Sequence, residues 1–341
     1  MYCTAFCTDR RTEDTVMPNL VTHALFCDDV LSALDNPLLS SHRMLFLTGG
    51  QGPDFLFFHH SDPLRTAVLP SDIRKYGRKF HADHINDFYL SALSSIQKEK
   101  DPAIRNDLIA YVCGHLCHWA LDSTVHPLIY SRTGNCQGRS AWMHHRFESL
   151  LDAALLMYKK KQTILTYFPG DECFSSDLNT ARAMARIYVP AIETIYGEKV
   201  NPHSFAEVLQ DWKRVQKRFY DPHNRKRRTI VPLEKTFGMY GLMSGFAIPY
   251  TCEDNVDICN LLHDSWRHPV TGEERKESVL DLMNIALDKA VTAIQLFLAA
   301  VDHPENPAFK ESFCDFLGDR NYEMDLPGNP VPVFFDLKDL E

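Results

Sequence analysis

Residues 114–148 constrain this chain more than any other stretch: GHLCHWALDSTVHP is followed a short way on by HHRFE. His118, Asp122 and His126 recur at every fourth position, and His144 and Glu148 repeat that interval. Residues four apart share one face of an α-helix. The spacing therefore predicts two helices, each presenting a row of imidazole and carboxylate groups. Buried without partners, such groups cost several kcal/mol or change their ionisation. A cation held between the two helices compensates all five at once. The donors are nitrogen and oxygen only, whereas closed structural zinc sites favour Cys, so the pattern points to an open site with room for water.

The rest of the chain reads as helices. NLVTHALFCDDVLSAL at 19–34 has an apolar period of three to four, and TGGQGPDF at 48–55 is a glycine-rich loop that bends tightly to present Asp54. HADHINDFYLSALSSIQ at 81–97 is again helical, and Asp101 and Pro102 suit the cap and first turn of the helix that carries His118. Pro127 is expected to end that helix near His126, because the residue before a proline is pushed away from helical geometry. Ser140 is the expected cap of the helix carrying His144. Three amphipathic helices are expected at 175–196, 204–220 and 278–301, and no run alternates as strands do. The fold class is all-α, a multi-helix bundle with the metal site between helices. We divide the chain into a polar extension at 1–16, a helical domain at 17–320 and a proline-rich, surface-docked tail at 321–341.

Composition excludes some functions. A formal charge of −9 disfavours a protein whose task is gripping nucleic-acid phosphates. The first twenty residues lack a basic segment followed by an apolar one, and no stretch reaches the roughly 20 apolar residues of a membrane span. A cytoplasmic location is the expectation. Of the ten cysteines, Cys113 and Cys117 sit in an apolar helical run, and most are read as reduced core residues.

HWALDSTVHP and HHRFESLLD, preceded by MPNLVTHALF and GGQGPDFLFF, resemble the zinc-dependent phospholipase C superfamily, which includes bacterial phospholipases C and related single-strand nucleases. The resemblance covers residues 17 to about 155. It implies that Asp54, His81, His118 and Asp122 hold one zinc, with His84 close enough to compete with His81. His126, His144 and Glu148 would hold a second. Asp122 would bridge the first to a third, which His23 helps to hold; two zinc ions are the firmer expectation. The interval from Asp122 to His126 is shorter than in the extracellular phospholipases. Removal of Met17 would expose the Pro18 amine five residues before His23, a spacing that resembles the nuclease branch, although Pro18 also suits the first turn of a helix.

Zinc ions sharing oxygen ligands suit hydrolysis of a phosphodiester by metal-activated water. Asp54 is the candidate for orienting or deprotonating that water. The expected substrate is a phospholipid or a small phosphodiester, with peripheral membrane contact and without nucleic acid as a partner. Two alternatives stand beside it: a helical zinc protein that binds a ligand or partner without hydrolysis, and a nuclease acting on single strands. Among the other polar residues, His115 is either a donor to a ligand ring or a satisfied core residue. Asp152 is read as exposed or capping, and His59 and His60 as surface residues. NRKRR at 224–228 is read as a solvated loop, with contact to anionic headgroups as the other reading.

Overall fold

The computed structural model describes residues 20–61, 71–250, 256–338 and 340. The extension at 1–16, Met17 and Pro18 lie outside the described residues. Among those described there are thirteen α-helices and one ribbon of two-residue strands, β1 (Trp266–Arg267) antiparallel to β2 (Glu274–Arg275), so the all-α class holds. The first half comprises α1 (Leu20–Leu34), α2 (Pro37–Ser41), α3 (Arg43–Gly49), α4 (Lys75–Ala82), α5 (Ile85–Lys98), α6 (Pro102–Thr133) and α7 (Arg139–Lys160). The second half adds α8 (Pro169–Glu172), α9 (Leu178–Tyr196), α10 (Ser204–Phe219), α11 (Arg225–Phe237), α12 (Val279–Asp302) and α13 (Pro307–Leu317).

The 32-residue α6 is the axis of the molecule. Asp101 caps it by accepting from the Ala103 and Ile104 amides, and Pro102 takes the first position. From Leu108 onward nearly every residue is buried, as expected of a helix that is largely apolar on all sides. α3 and α12 make its most extensive contacts, with α1, α7 and α9 completing the shell. The contact with α3 is at backbone distance: a Cβ on Gly49 would lie 2.0 Å from the Tyr111 carbonyl oxygen, and one on Gly114 would lie 1.9 Å from that of Phe46. The first glycine of TGGQG thus ends a helix, and only the residues after it form the loop that leads into a 3-10 turn at Asp54–Phe58.

Several local expectations are corrected. α6 does not stop at His126 but runs through Pro127 to Thr133. Pro127 offers no N–H to the Ser123 carbonyl, a loss of about 3 kcal/mol in a helix interior, but the continuation to Thr133, about two turns, buries Leu128, Ile129 and Tyr130. Tertiary burial outweighs the local preference. HADHINDFY is split between two helices, with His84 in the left-handed region (φ 57°) starting α5. Ser140 does not cap α7, which starts from Gly138; its hydroxyl donates to the Thr133 carbonyl and accepts from the Cys136 amide, tying off the α6–α7 connection. NRKRR is not a loop, since Arg225–Arg228 form the first turn of α11.

α12 has the length and apolar content of a membrane span. Here its Leu282, Ala286, Ala290, Ile294 and Phe297 are buried in the core, a Ser278–Asp281 capping box starts it, and Lys289 reaches Ser123 and Asp325. In the C-terminal segment the Asp336 and Lys338 amides donate to the Ser131 and Arg132 carbonyls, and Leu340 is buried. Of the seven described cysteines, five are buried.

Candidate metal centre

Five elements bring the eight candidate ligands together. α6 supplies His118, Asp122 and His126 at successive turns, and α7 crosses it with His144 and Glu148. α1 contributes His23, the 3-10 turn contributes Asp54, and the last turn of α4 contributes His81. All are buried except His126, which is partly exposed at the opening. His84, the competitor of His81, is exposed and pairs with Asp87.

The donor atoms form three groups, the first two sharing His118: His23, His118 and Asp122; Asp54, His81 and His118; and His126, His144 and Glu148. His118 Nε2 lies 2.9 Å from Asp122 Oδ2 and 3.4 Å from His81 Nε2, which is 2.9 Å from Asp54 Oδ1. His23 Nε2 lies 3.1 Å from the other Asp122 oxygen. Glu148 Oε1 lies 3.2 Å from His144 Nε2 and 3.6 Å from His126 Nε2. Ligands at roughly 2.0–2.2 Å around a tetrahedral ion stand about 3.3–3.5 Å apart; the 3.2–3.6 Å separations are close to that, and the pairs at 2.9–3.1 Å are at hydrogen-bond distance and open by a few tenths of an ångström to admit an ion. Asp122 Oδ2, 3.8 Å from His126 Nδ1, links the groups.

Two rings are oriented from behind. His81 Nδ1 faces the Gly77 carbonyl at 2.7 Å and His126 Nδ1 faces the Tyr322 carbonyl at 3.1 Å. A proton on each Nδ1 leaves the Nε2 lone pair for the cluster, the arrangement that accompanies metal-ligating histidines. Gly52 (φ 56°) lies against a third ring: a Cβ there would come within 2.0 Å of His118 Cδ2. His23 Nδ1, His118 Nδ1, His144 Nδ1 and Glu148 Oε2 are buried without a hydrogen-bond partner. Those Nδ1 atoms lie on the far side of rings whose Nε2 faces the cluster, and it is the converging Nε2 and carboxylate donors around a cavity of about 50 Å³ that fit zinc.

The electrostatics agree. Burial opposes the ionisation of Asp122, but the imidazoles of His118, His126 and His23 outweigh it and hold the carboxyl well below the usual range. Burial likewise opposes ionisation of Glu148, and His144 and His126 overcome it. Burial lowers His118 more than Asp122 and Asp54 raise it. His126 is the reverse case: against burial, Asp122 and Glu148 push it up to about 10. The cluster attracts positive charge, and protons and a divalent cation compete for it.

Several residues around the centre were not read from the sequence, or were read differently. Arg78, Tyr130, Phe57 and Glu323 also line the cavity. Tyr130 lies one turn beyond His126 and extends the same row. Asp152 is not exposed; it is buried and caps α1, accepting from the Val21 and Thr22 amides and the Thr22 hydroxyl. His115 touches no carboxylate of the centre and is hydrogen-bonded to Tyr89 and Tyr188 hydroxyls, which makes it a satisfied core residue. His59 and His60 are not surface residues, since both are buried.

Residues 22–188 match the family model described as zinc dependent phospholipase C. The match contains all eight candidate ligands and extends through most of α9, beyond the motifs legible by eye. Neither a curated protein nor a solved structure gives a match. Residues 22–188 are thus a region of the zinc dependent phospholipase C family.

Proposed function

We propose that this protein is a zinc-dependent hydrolase of a phosphodiester, with a phospholipid or a small-molecule phosphodiester as substrate. The observation that carries the reading is the convergence of eight nitrogen- and oxygen-donating side chains into adjoining donor groups inside the family region, seven of them lining one half-open cavity and His118 standing behind it; Cys136 also lines that cavity but joins none of the groups. Asp54, His81, His118 and Asp122 would hold one ion, His126, His144 and Glu148 a second, and His23 with Asp122 a third. Bound zinc supplies Lewis acidity and makes water a far stronger acid.

The chain's own groups supply the rest. Asp54 keeps one carboxylate oxygen 2.9 Å from His81 Nε2 and the other 3.9 Å from His118 Nε2, a position from which it orients water and accepts its proton. Arg78, exposed on α4, is the one Lys or Arg among the described cavity-lining residues and is suited to two parallel hydrogen bonds with phosphoryl oxygens. Glu323 stands at the same cavity and repels a polyanion such as a nucleic-acid strand. That charge, with the chain's net −9, favours a lipid or small diester over a polynucleotide.

The test combines metal content with turnover. The purified protein is expected to hold at least two zinc ions and to hydrolyse one member of a panel of choline, ethanolamine and nucleotide phosphodiesters. One tightly held zinc with no turnover of any member would instead favour a helical zinc protein with a binding role.

A further inference from the structure

We propose that His59, His60 and Glu207 form a separate zinc site, which fastens the end of the Asp54-bearing 3-10 turn to α10. His59 Nε2 and His60 Nε2 lie 3.4 Å and 3.2 Å from the same oxygen, Glu207 Oε2. These are again the spacings of donors around a tetrahedral ion. None of the three residues lines the main cavity, and Glu207 lies outside the 22–188 family region. The site is therefore separate from the centre described above.

The backbone is shaped to bring the two imidazoles together. Adjacent side chains in extended backbone point to opposite sides, but His60 adopts the left-handed conformation (φ 55°), which residues with a Cβ enter rarely. The two rings consequently lie face to face, with centroids 3.8 Å apart and planes 26° apart. The stack carries both Nε2 atoms to one carboxylate oxygen, and imidazole nitrogens beside a carboxylate oxygen are a donor set that zinc takes.

Supporting contacts hold the donors from outside. His59 Nδ1 is 2.8 Å from the Ser71 hydroxyl and 3.6 Å from Asp72 Oδ1, which leaves Nε2 to the cluster. The His60 amide donates to Asp211 Oδ2, one turn beyond Glu207 on α10. Both histidines are buried, whereas the Glu207 side chain is 37% exposed, which provides the route by which an ion enters. An ion here would join two segments about 150 positions apart in sequence, next to a turn whose first residue is Asp54.

The experiment titrates the full-length protein with zinc against a chromogenic chelator, and compares wild type with Glu207→Gln and with the main-centre variant Glu148→Ala. Wild type and Glu148→Ala should both show a site that Glu207→Gln lacks or binds at least tenfold more weakly. The thermal midpoint of wild type should rise on adding zinc by more than that of Glu207→Gln. Glu207 is half-exposed, so circular dichroism should show both proteins equally helical, and phosphodiester turnover at saturating zinc should be unchanged. Equal zinc stoichiometry and affinity in wild type and Glu207→Gln would overturn the proposal and leave a hydrogen-bonded His–His–Glu cluster.

Discussion

The two sides of the metal centre are built by different rules. One side is the pair of rows on α6 and α7, where His118, Asp122, His126, His144 and Glu148 are set by helical period alone. The other side is assembled from distant segments: Asp54 on a 3-10 turn, His81 at the end of α4, the Tyr322 carbonyl and Glu323 from beyond the last helix. The first side needs only that two helices form. The second needs the whole chain folded, because nothing local says which carbonyl will meet the back of His126. The difference shows why a metal site is recognised from one wall and completed by the other.

The strongest way to break this comparison is to remove one ligand from each row. His118→Ala and Glu148→Ala should each take phosphodiester turnover below detection while circular dichroism shows helical content largely kept, since α6 and α7 are held by their apolar faces. Each should also lower zinc content, measured by elemental analysis. Near wild-type turnover in both variants would mean that the periodic rows are not the reactive centre.

That contrast also sets what was legible beforehand. The helix start at Asp101–Pro102 was readable because the cap chemistry is local. The continuation of α6 past Pro127 was not, because burial of Leu128 and Ile129 is decided by the neighbours they meet. Gly114 looks like any helix glycine until α3 is laid across it at backbone contact. His59 and His60 read as a polar end to an apolar run, and only α10, more than 140 positions away, makes them a buried cluster. The same holds for α11: its basic first turn has the composition of a loop, yet Arg225–Phe237 is helical.

Asp152 sharpens the comparison because it continues the Glu148 row yet serves the distant side. It is one turn beyond Glu148, and its carboxylate holds the first turn of α1 next to His23. Burial pushes it up to about 7, against the pull of the Thr22 and Val21 hydrogen bonds. Asp152→Ala leaves those amides without their cap and should cost about 1–3 kcal/mol of stability, read as a lower urea midpoint. Turnover should fall far less than in the ligand variants. A loss of activity equal to that of Glu148→Ala, with the urea midpoint unchanged, would move Asp152 into the ligand set.

Glu323 offers the smallest and most discriminating change, because it belongs wholly to the distant side and ligates nothing in the reading above. It is partly exposed at the cavity that also receives Arg78, Tyr130 and Phe57. A partly exposed charge of this kind is worth about 0.5–1 kcal/mol, which is roughly a two- to fivefold effect. Glu323→Gln should therefore lower kcat/KM for choline or ethanolamine diesters by that factor, through KM, because a cationic headgroup loses its counter-charge. The same substitution should raise kcat/KM for a nucleotide diester by a similar factor, since a repulsive carboxylate is gone. Opposite shifts for the two substrate classes would tie selectivity to the distant side of the centre. An equal fall for both, with zinc content unchanged, would instead make Glu323 a support for Tyr130, and would leave substrate choice to the rows on α6 and α7.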